Sequence, residues 1–327
     1  MISRAAFLLI MPTTTPVNNS KFSQELTGVA LALLAVVVWA ANFVIARRVI
    51  HEIAPITLAF FRWIIAAFIM IPVGYKSLIT EWQQVKENLF YLFFTAFFGI
   101  TLFNTLVYVA GHHTEAINMA MIGTTSSPIF SIILAFLILK EKPGKLRIVG
   151  MIICILGIIW LLVRGSLQQL LHFHLAYGDI WLLGGALCFA IYNIQVRRKP
   201  TGISSPTFLL VVFSIGSWLL LPGMLWEEWR GNTIQWSPSL IGMLVYLGSC
   251  TSVIGFLAWN AAIARIGIGR TVLFGYLIPI VAAFEAVILL GEKFTRDHLI
   301  SAILVAIGLF LTNLSPEKLK GSKKETL

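Results

Sequence analysis

The chain has few charged residues and very few cysteines. Charged side chains make up 12% of its 327 residues, whereas a typical soluble domain carries about 25%. The three cysteines, Cys154, Cys188 and Cys250, lie in apolar segments and lack the spacing of a metal or redox motif. We therefore interpret them as packing residues, and the composition argues against a soluble protein or a disulfide-stabilised domain.

Long polar segments and nucleotide-binding motifs are also missing. The two longest loops, around 165–176 and 227–237, are too short for a soluble domain. No P-loop, glycine-rich phosphate cradle or nucleophile-base set occurs. The sequence thus disfavours an enzyme or an ATP-driven pump, and we expect no cofactor and no bound metal.

Apolar runs occupy most of the sequence. Hydrophobic residues make up 58% of the chain, and the runs repeatedly reach the length of about 20 residues that a helix needs to cross a bilayer. We predict an all-α integral membrane protein with ten transmembrane helices near residues 27–46, 55–74, 88–111, 116–139, 147–164, 177–197, 206–226, 238–263, 269–290 and 297–314.

A weak internal repeat relates the two halves of the chain at one offset of 151 residues. The aligned landmarks are Asn42 with Asn193, Arg47 with Arg198, Pro55 with Pro206, Pro128 with Pro279, Glu141-Lys142 with Glu292-Lys293, and Gly157 with Gly308. Each copy holds five spans, so the second copy crosses the membrane inverted relative to the first. Inverted repeats are typical of transporters that bind their substrate where the halves meet.

The formal charge of +10 indicates orientation rather than nucleic-acid binding. Seventeen of the 24 Lys and Arg residues lie on the side of the N-terminus, six lie on the other side, and Arg62 lies within a span. The positive-inside rule then predicts that both termini are cytoplasmic, in a bacterial inner membrane. We expect a disordered tail at 1–25, repeats at 27–164 and 177–314, and a basic tail at 315–327.

The ordered set of landmarks resembles the EamA-type family of the drug/metabolite transporter superfamily. Its elements are Trp39, Asn42 and Phe43 in the first span, Pro55 to Arg62 in the second, Pro128 followed by Glu141-Lys142, and Pro279 followed by Glu292-Lys293. The resemblance covers residues 27–314. It implies two inverted five-helix repeats around a central cavity, alternating access, and export of amino acids or other small metabolites. Glu285 departs from the family pattern, which is apolar at that position.

Two charged residues within spans are the strongest site candidates. Arg62 lies about 10 Å into the second span by helix rise, where it could bind a substrate carboxylate or phosphate. Glu285 lies at a similar depth in the ninth span and could carry a proton. The structural alternative for both is an ion pair between Arg62 and Glu285, or for Arg62 a contact with carbonyl oxygens.

Polar and aromatic residues within the other spans complete the predicted substrate site. An amide or ring among small residues offers a ligand both hydrogen bonds and stacking area, although the amides could instead lock helices together. The predicted residues are Trp39, Asn42, Asn104, Tyr108, Thr124, Ser127, Tyr192, Asn193, Trp259 and Tyr276.

Two further patterns concern the helices themselves. The runs from Gly123 to Pro128 and from Gly275 to Pro279 predict breaks in the fourth and ninth spans, because proline removes a backbone hydrogen bond. Small residues at Gly150, Cys154 and Gly157 predict close helix packing, with a homodimer contact as the alternative.

These features predict a secondary transporter of a small organic metabolite, most consistent with an amino-acid-type exporter embedded in the lipid bilayer. One alternative is a transporter of an anionic or nucleotide-like solute, such as a nucleotide sugar or S-adenosylmethionine, with Arg62 as its anion clamp. The other is a membrane sensor or scaffold that transports nothing, against which the absence of a soluble domain argues.

Overall fold

The computed structural model describes residues 21–49, 52–111, 113, 116–163, 166, 168, 171, 177–290 and 295–313. All regular elements within these ranges are helical, and the long helices form ten spans. They are α1 (Lys21–Val49), α2 (Pro55–Thr80), α3 (residues 89–111), α4 (Ala116–Leu139), α5 (Lys145–Leu162), α6 (Tyr177–Arg197), α7 (Ser205–Trp229), α8 (Pro238–Ile266), α9 (residues 268–290) and α10 (Arg296–Asn313). A short helix, Trp82–Glu87, connects α2 to α3.

The described helices confirm the predicted ten-span membrane architecture. Nine segments are long and apolar enough to cross a bilayer, and α4 contributes a further apolar stretch, Thr125–Leu139. Arg270 contacts both Glu25 near the start of α1 and Asn313 at the end of α10, so these two ends lie on the same side of the bundle, which we call the termini side.

The predicted disordered tail is wrong at its last five residues. Helix α1 already begins at Lys21, so residues 21–25 are helical. The first turns carry polar contacts: Thr27 donates from Oγ1 to the carbonyl of Ser23 at 2.8 Å, and Glu25 lies 3.8 Å from Arg270 of α9. The rest of that tail and the tail at 315–327 lie outside the described residues.

Two pairs of repeat-related helices pack against each other. Helix α2 packs along α7, and α5 packs along α10. Cys154 Sγ lies 3.6 Å from the carbonyl oxygen of Val305, and Tyr276 OH lies 3.4 Å from that of Thr125, with 151 residues separating each pair. Positions with the same place in the two repeats therefore meet near a common pseudo-twofold axis.

The remaining helices exchange partners between the repeats. Helix α1 of the first repeat packs against α8 and α9 of the second, whereas α6 of the second packs against α3 and α4 of the first. Each packed group therefore contains helices from both halves of the sequence.

The small-residue stripe of α5 packs within the molecule. A Cβ added at Gly150 would lie 2.4 Å from the carbonyl oxygen of Gly308, and one added at Gly308 would lie 2.5 Å from Cys154 Sγ. The backbones of α5 and α10 thus approach too closely for a larger residue at either glycine. The predicted close packing is present, and it uses the stripe inside the protomer rather than at a homodimer contact.

The helix irregularities differ from those expected. The interruption of α9 is present as a tighter 3-10 turn at Val272–Leu277, but the predicted break in α4 is wrong, since Ala116–Leu139 is one α-helix containing Pro128. Proline removes only its own backbone donor, and the close packing of α4 on α6 supports the helix around it. Instead, wider π-helical turns occur at Phe97–Leu102 of α3 and Leu247–Ile254 of α8, which are related by the repeat.

Glutamates at the ends of α2 and α7 cap each other's helix. The Glu227 carboxylate, near the end of α7, accepts hydrogen bonds from the backbone N–H groups of Ile56 at 3.0 Å and Thr57 at 2.7 Å. On the termini side, Glu81 Oε2 accepts from the N–H of Ser204 at 2.8 Å. A carboxylate accepts hydrogen bonds from the unpaired N–H groups of a helix N-terminus, and its negative charge interacts favourably with the helix dipole. The contact between α2 and α7 is therefore stabilised at both membrane surfaces.

Candidate functional site

Five rings from three helices form an aromatic layer across the bundle. It consists of Trp39 on α1, Phe189 and Tyr192 on α6, and Phe256 and Trp259 on α8. The Trp39 ring centroid lies 4.9 Å from that of Trp259, 5.5 Å from that of Phe256 and 6.0 Å from that of Phe189. Trp259 and Tyr192 are buried, whereas Trp39 and Phe189 keep part of their surface exposed. The sequence-predicted residues Trp39, Tyr192 and Trp259 are thus brought together.

Side-chain amides tie this layer to neighbouring helices. Asn193 Oδ1 accepts from Trp259 Nε1 at 2.9 Å, and Asn193 Nδ2 donates to Ser131 Oγ of α4 at 3.1 Å. Asn260 Nδ2 lies 2.9 Å from the hydroxyl of Tyr192. Asn193 therefore connects α4, α6 and α8, which is the geometry of a helix lock within the predicted site.

The π-helical turn of α8 positions Trp39. A π turn lengthens the hydrogen-bond spacing and leaves a carbonyl available, and here the carbonyl oxygen of Thr251 accepts from Trp39 Nε1 at 2.9 Å. A Cβ at Gly255 would lie 2.5 Å from the same nitrogen. The wide turn and the glycine after it thus create the space in which the Trp39 indole contacts α8.

Arg62 lies beside the aromatic layer and is 7% exposed. Its Nε donates to Ser252 Oγ at 2.8 Å, and its Cζ lies 4.9 Å from the ring centroid of Trp63. Trp63 in turn lies 5.0 Å from Phe256 of the layer. A buried cation is therefore held against the layer by the hydroxyl of the α8 π turn.

Glu285 does not form the alternative ion pair with Arg62. Both side chains are described, and no ion pair joins them; Arg62 bonds to Ser252 instead. Glu285 is half-buried, and its Oε2 atom is buried with no hydrogen-bond partner among the described residues. The preceding residue, Phe284, is 56% exposed, so α9 presents lipid-facing residues adjacent to this carboxyl.

Six predicted residues remain, and the structure describes the side chains of three of them. Asn104 is buried on α3, and its Nδ2 donates to the carbonyl of Ile100 in the π turn of its own helix. Tyr276 is fully buried and donates to the carbonyl of Thr125 at 3.4 Å, while Ser127 is half-buried on α4. The side chains of Asn42, Tyr108 and Thr124 lie outside the described part of the structure.

Several site residues were not predicted from the sequence. Asn260 and Ser131 complete the amide contacts, and Trp63 places its buried Nε1 beside Arg62 with no hydrogen-bond partner in the described ranges. Asn260 had a detectable signal, because an amide within an apolar span is expensive and is retained for a contact. The repeat-related position is Val109, so the alignment of the two halves does not single out Asn260.

Charged residues from both repeats meet on the termini side. Arg270 at the start of α9 lies 3.8 Å from Glu25 of α1, and Arg197 at the end of α6 lies 3.7 Å from Glu141 after α4. Burial lowers the pKa of Lys199, and the nearby Glu81 carboxylate opposes that shift. Ion pairs thus cross between the repeats below the aromatic layer.

A model of the EamA-like transporter family matches residues 26–163 and again residues 176–314. The transporter YyaM of Bacillus subtilis (strain 168), which is described as uncharacterized, is 26% identical to this chain over 82% of this chain and 88% of its own length. A probable amino-acid metabolite efflux pump of Salmonella typhimurium is 26% identical over 86% of this chain and 93% of its own length.

Two more comparisons agree with this result. A probable amino-acid metabolite efflux pump of Escherichia coli (strain K12) is 25% identical over 86% of this chain and 93% of its own length. A solved crystal structure, 16% identical, matches with a TM-score of 0.72 over 90% of this chain and 98% of that chain. At that identity the structural likeness concerns the fold alone.

Proposed function

This chain belongs to the EamA-like transporter family and is a multi-pass membrane transporter, and from that premise we propose that it exports amino-acid-type metabolites by alternating access. The observation that carries the proposal is Arg62, a buried cation held by Ser252 beside an aromatic layer. A guanidinium binds carboxylates well, and aromatic rings offer stacking area to an amphipathic solute. Two relatives named as probable amino-acid metabolite efflux pumps support the same solute class.

In this proposal the aromatic layer closes the path on the termini side. Trp39 and Trp259 meet across helices of different repeats, and Asn193 joins α4, α6 and α8 at the same level. The ion pairs Arg197 with Glu141 and Arg270 with Glu25 cross between the repeats below it. Opening of the path toward the termini side would separate these contacts, while the glutamate caps would keep α2 and α7 packed together.

We further propose that Glu285 couples export to proton movement. Its Oε2 atom is buried without a hydrogen-bond partner in the described residues, and burial of a carboxyl favours the neutral form. A group that binds and releases one proton per cycle needs such an environment. Both termini are proposed to be cytoplasmic in a bacterial inner membrane, as the distribution of Lys and Arg indicates.

Flux through the purified full-length protein in liposomes tests this function. We expect saturable transport of amino acids and none of the matching amino-acid methyl esters, because the ester removes the negative charge that Arg62 would bind. Transport of nucleotide sugars or S-adenosylmethionine in place of amino acids would favour the alternative solute class. Absence of saturable flux for every solute of the panel would refute the proposal.

A further inference from the structure

A membrane-facing groove lies between the termini-side ends of α1, α9 and α10. Its volume is about 310 Å³. The apolar wall consists of Leu26, Val29, Phe274, Leu309 and Phe310. Leu26 is 60% exposed and Phe310 66% exposed, which is expected of residues that face lipid. The acyl chain of a lipid can therefore enter this groove when the protein is embedded in a bilayer.

The polar end of the groove is built around Arg270. Its Nε donates to Asn313 Oδ1 at 2.9 Å, and its Nη1 lies 3.8 Å from Glu25 Oε1. Within the described residues no hydrogen bond engages its Nη2. A guanidinium has five N–H donors and matches the geometry of a phosphate, so Arg270 retains donor capacity toward the groove.

The charge near this end is positive despite Glu25. Arg147 lies against the start of α9, with its Nη1 2.6 Å from the position of a Cβ on Gly269. Its Nε is buried without a hydrogen-bond partner in the described part of the chain. Glu141 interacts with both Arg147 and Arg197, and Glu25 pairs with Arg270, so three arginines share two carboxylates here. An anionic headgroup complements this balance better than a zwitterionic one.

We propose that this groove binds one anionic phospholipid of the leaflet on the termini side. The acyl chain lies along the apolar wall, and the phosphate accepts hydrogen bonds from Arg270 at the membrane surface, where basic residues attract anionic lipids. Helix α1 belongs to the first repeat, whereas α9 and α10 belong to the second. The lipid therefore bridges the repeats beside the Arg270 ion pair. The proposal does not depend on which solute is transported.

Native mass spectrometry of the full-length protein, titrated with phosphatidylglycerol or phosphatidylcholine of the same acyl chains, tests this site. We expect one phosphatidylglycerol bound about fivefold more tightly than phosphatidylcholine, the effect of about one basic residue at an anionic surface. Arg270→Ala should abolish that preference. Val29→Phe should fill the groove and weaken both lipids. Arg265→Ala is the matched control, because Arg265 lies on the same side and donates to Ala261 of its own helix.

Glu25→Gln separates the lipid site from a merely structural ion pair. Removing the carboxylate leaves Arg270 in place and raises the local charge, so phosphatidylglycerol should bind more tightly, whereas loss of a structural pair would bring no gain. Three results would overturn the proposal: equal binding of the two lipids to the unmodified protein, no gain in Glu25→Gln, or displacement of bound phosphatidylglycerol by glycerol phosphate alone. If Arg270→Ala fails to fold, Glu25→Gln and Val29→Phe decide the question.

Discussion

Arg62 Nε lies 2.8 Å from Ser252 Oγ, so a cation of the first repeat is held by the π turn of the second. The contact orients the guanidinium, and Cζ lies 4.9 Å from the ring centroid of Trp63. Arg62 is thus placed beside the aromatic layer, where we propose that it binds a substrate carboxylate.

Substitution of Arg62 should weaken transport of carboxylate-bearing solutes. Arg62→Ala should lower kcat/KM for amino acids about 10- to 100-fold, because a hydrogen bond to a charged group contributes about 1.5–3 kcal/mol. Ser252→Ala should have a smaller effect, since it loosens the orientation and keeps the charge. The measurement is initial flux against substrate concentration in liposomes. Arg230→Ala, at an exposed position after α7, serves as the control, and an equal effect there would contradict this role.

The sequence predicts the spans and their inversion but not the partner of Arg62. Span length and the repeat offset follow from hydrophobicity and landmarks, which are local properties. The pairing of Arg62 depends instead on how α2 meets α8, and the two charges Arg62 and Glu285 were placed together only because their depths are similar. The partner, Ser252, lies within the π turn of α8, and a π turn has no clear sequence signature.

Glu285→Gln should separate proton coupling from solute movement. The amide keeps the size and polarity of the side chain but cannot release a proton, so transport driven by a pH gradient should be lost while solute exchange at equal pH persists. Flux with and without an imposed pH gradient measures both. Glu228→Gln, at an exposed position, should alter neither. Persistent gradient-driven transport in Glu285→Gln would assign the carboxyl a structural role.

The hydrogen bond from Trp259 Nε1 to Asn193 Oδ1 at 2.9 Å should be visible in a double-mutant cycle. Trp259→Phe keeps an aromatic ring but leaves a buried amide oxygen unsatisfied, at a cost of about 1–3 kcal/mol. Asn193→Leu should also destabilise the protein. The double variant should lose less unfolding free energy than the sum of the losses in the two single variants. Thermal unfolding in detergent measures the four proteins. Additive effects would mean that the two side chains act independently.

Loss of the Glu227 carboxylate should destabilise the pair formed by α2 and α7. Glu227→Gln weakens its hydrogen bonds to the N–H groups of Ile56 and Thr57 and removes a negative charge from the helix N-terminus. We expect a loss of about 1–2 kcal/mol in unfolding free energy, the usual size of a cap effect. Thermal unfolding of Glu228→Gln provides the comparison, because that neighbouring carboxylate is exposed. Equal stabilities of the two variants would show that the cap contributes nothing.

Gly150→Ala should be strongly destabilising, because the added methyl would lie 2.4 Å from the carbonyl oxygen of Gly308. Because a backbone carbonyl cannot move aside as a flexible side chain can, α5 and α10 must separate. Overpacking of this kind lowers the unfolding free energy by about 1–3 kcal/mol. Gly242→Ala is the matched control: it also lies within a helical span, α8, but a Cβ there meets nothing within 4 Å. In that open position alanine should be neutral or stabilising, by up to about 1 kcal/mol. The thermal midpoints of the two variants should therefore move in opposite directions or differ clearly. Similar midpoints would mean that α5 and α10 do not depend on glycine for their close approach.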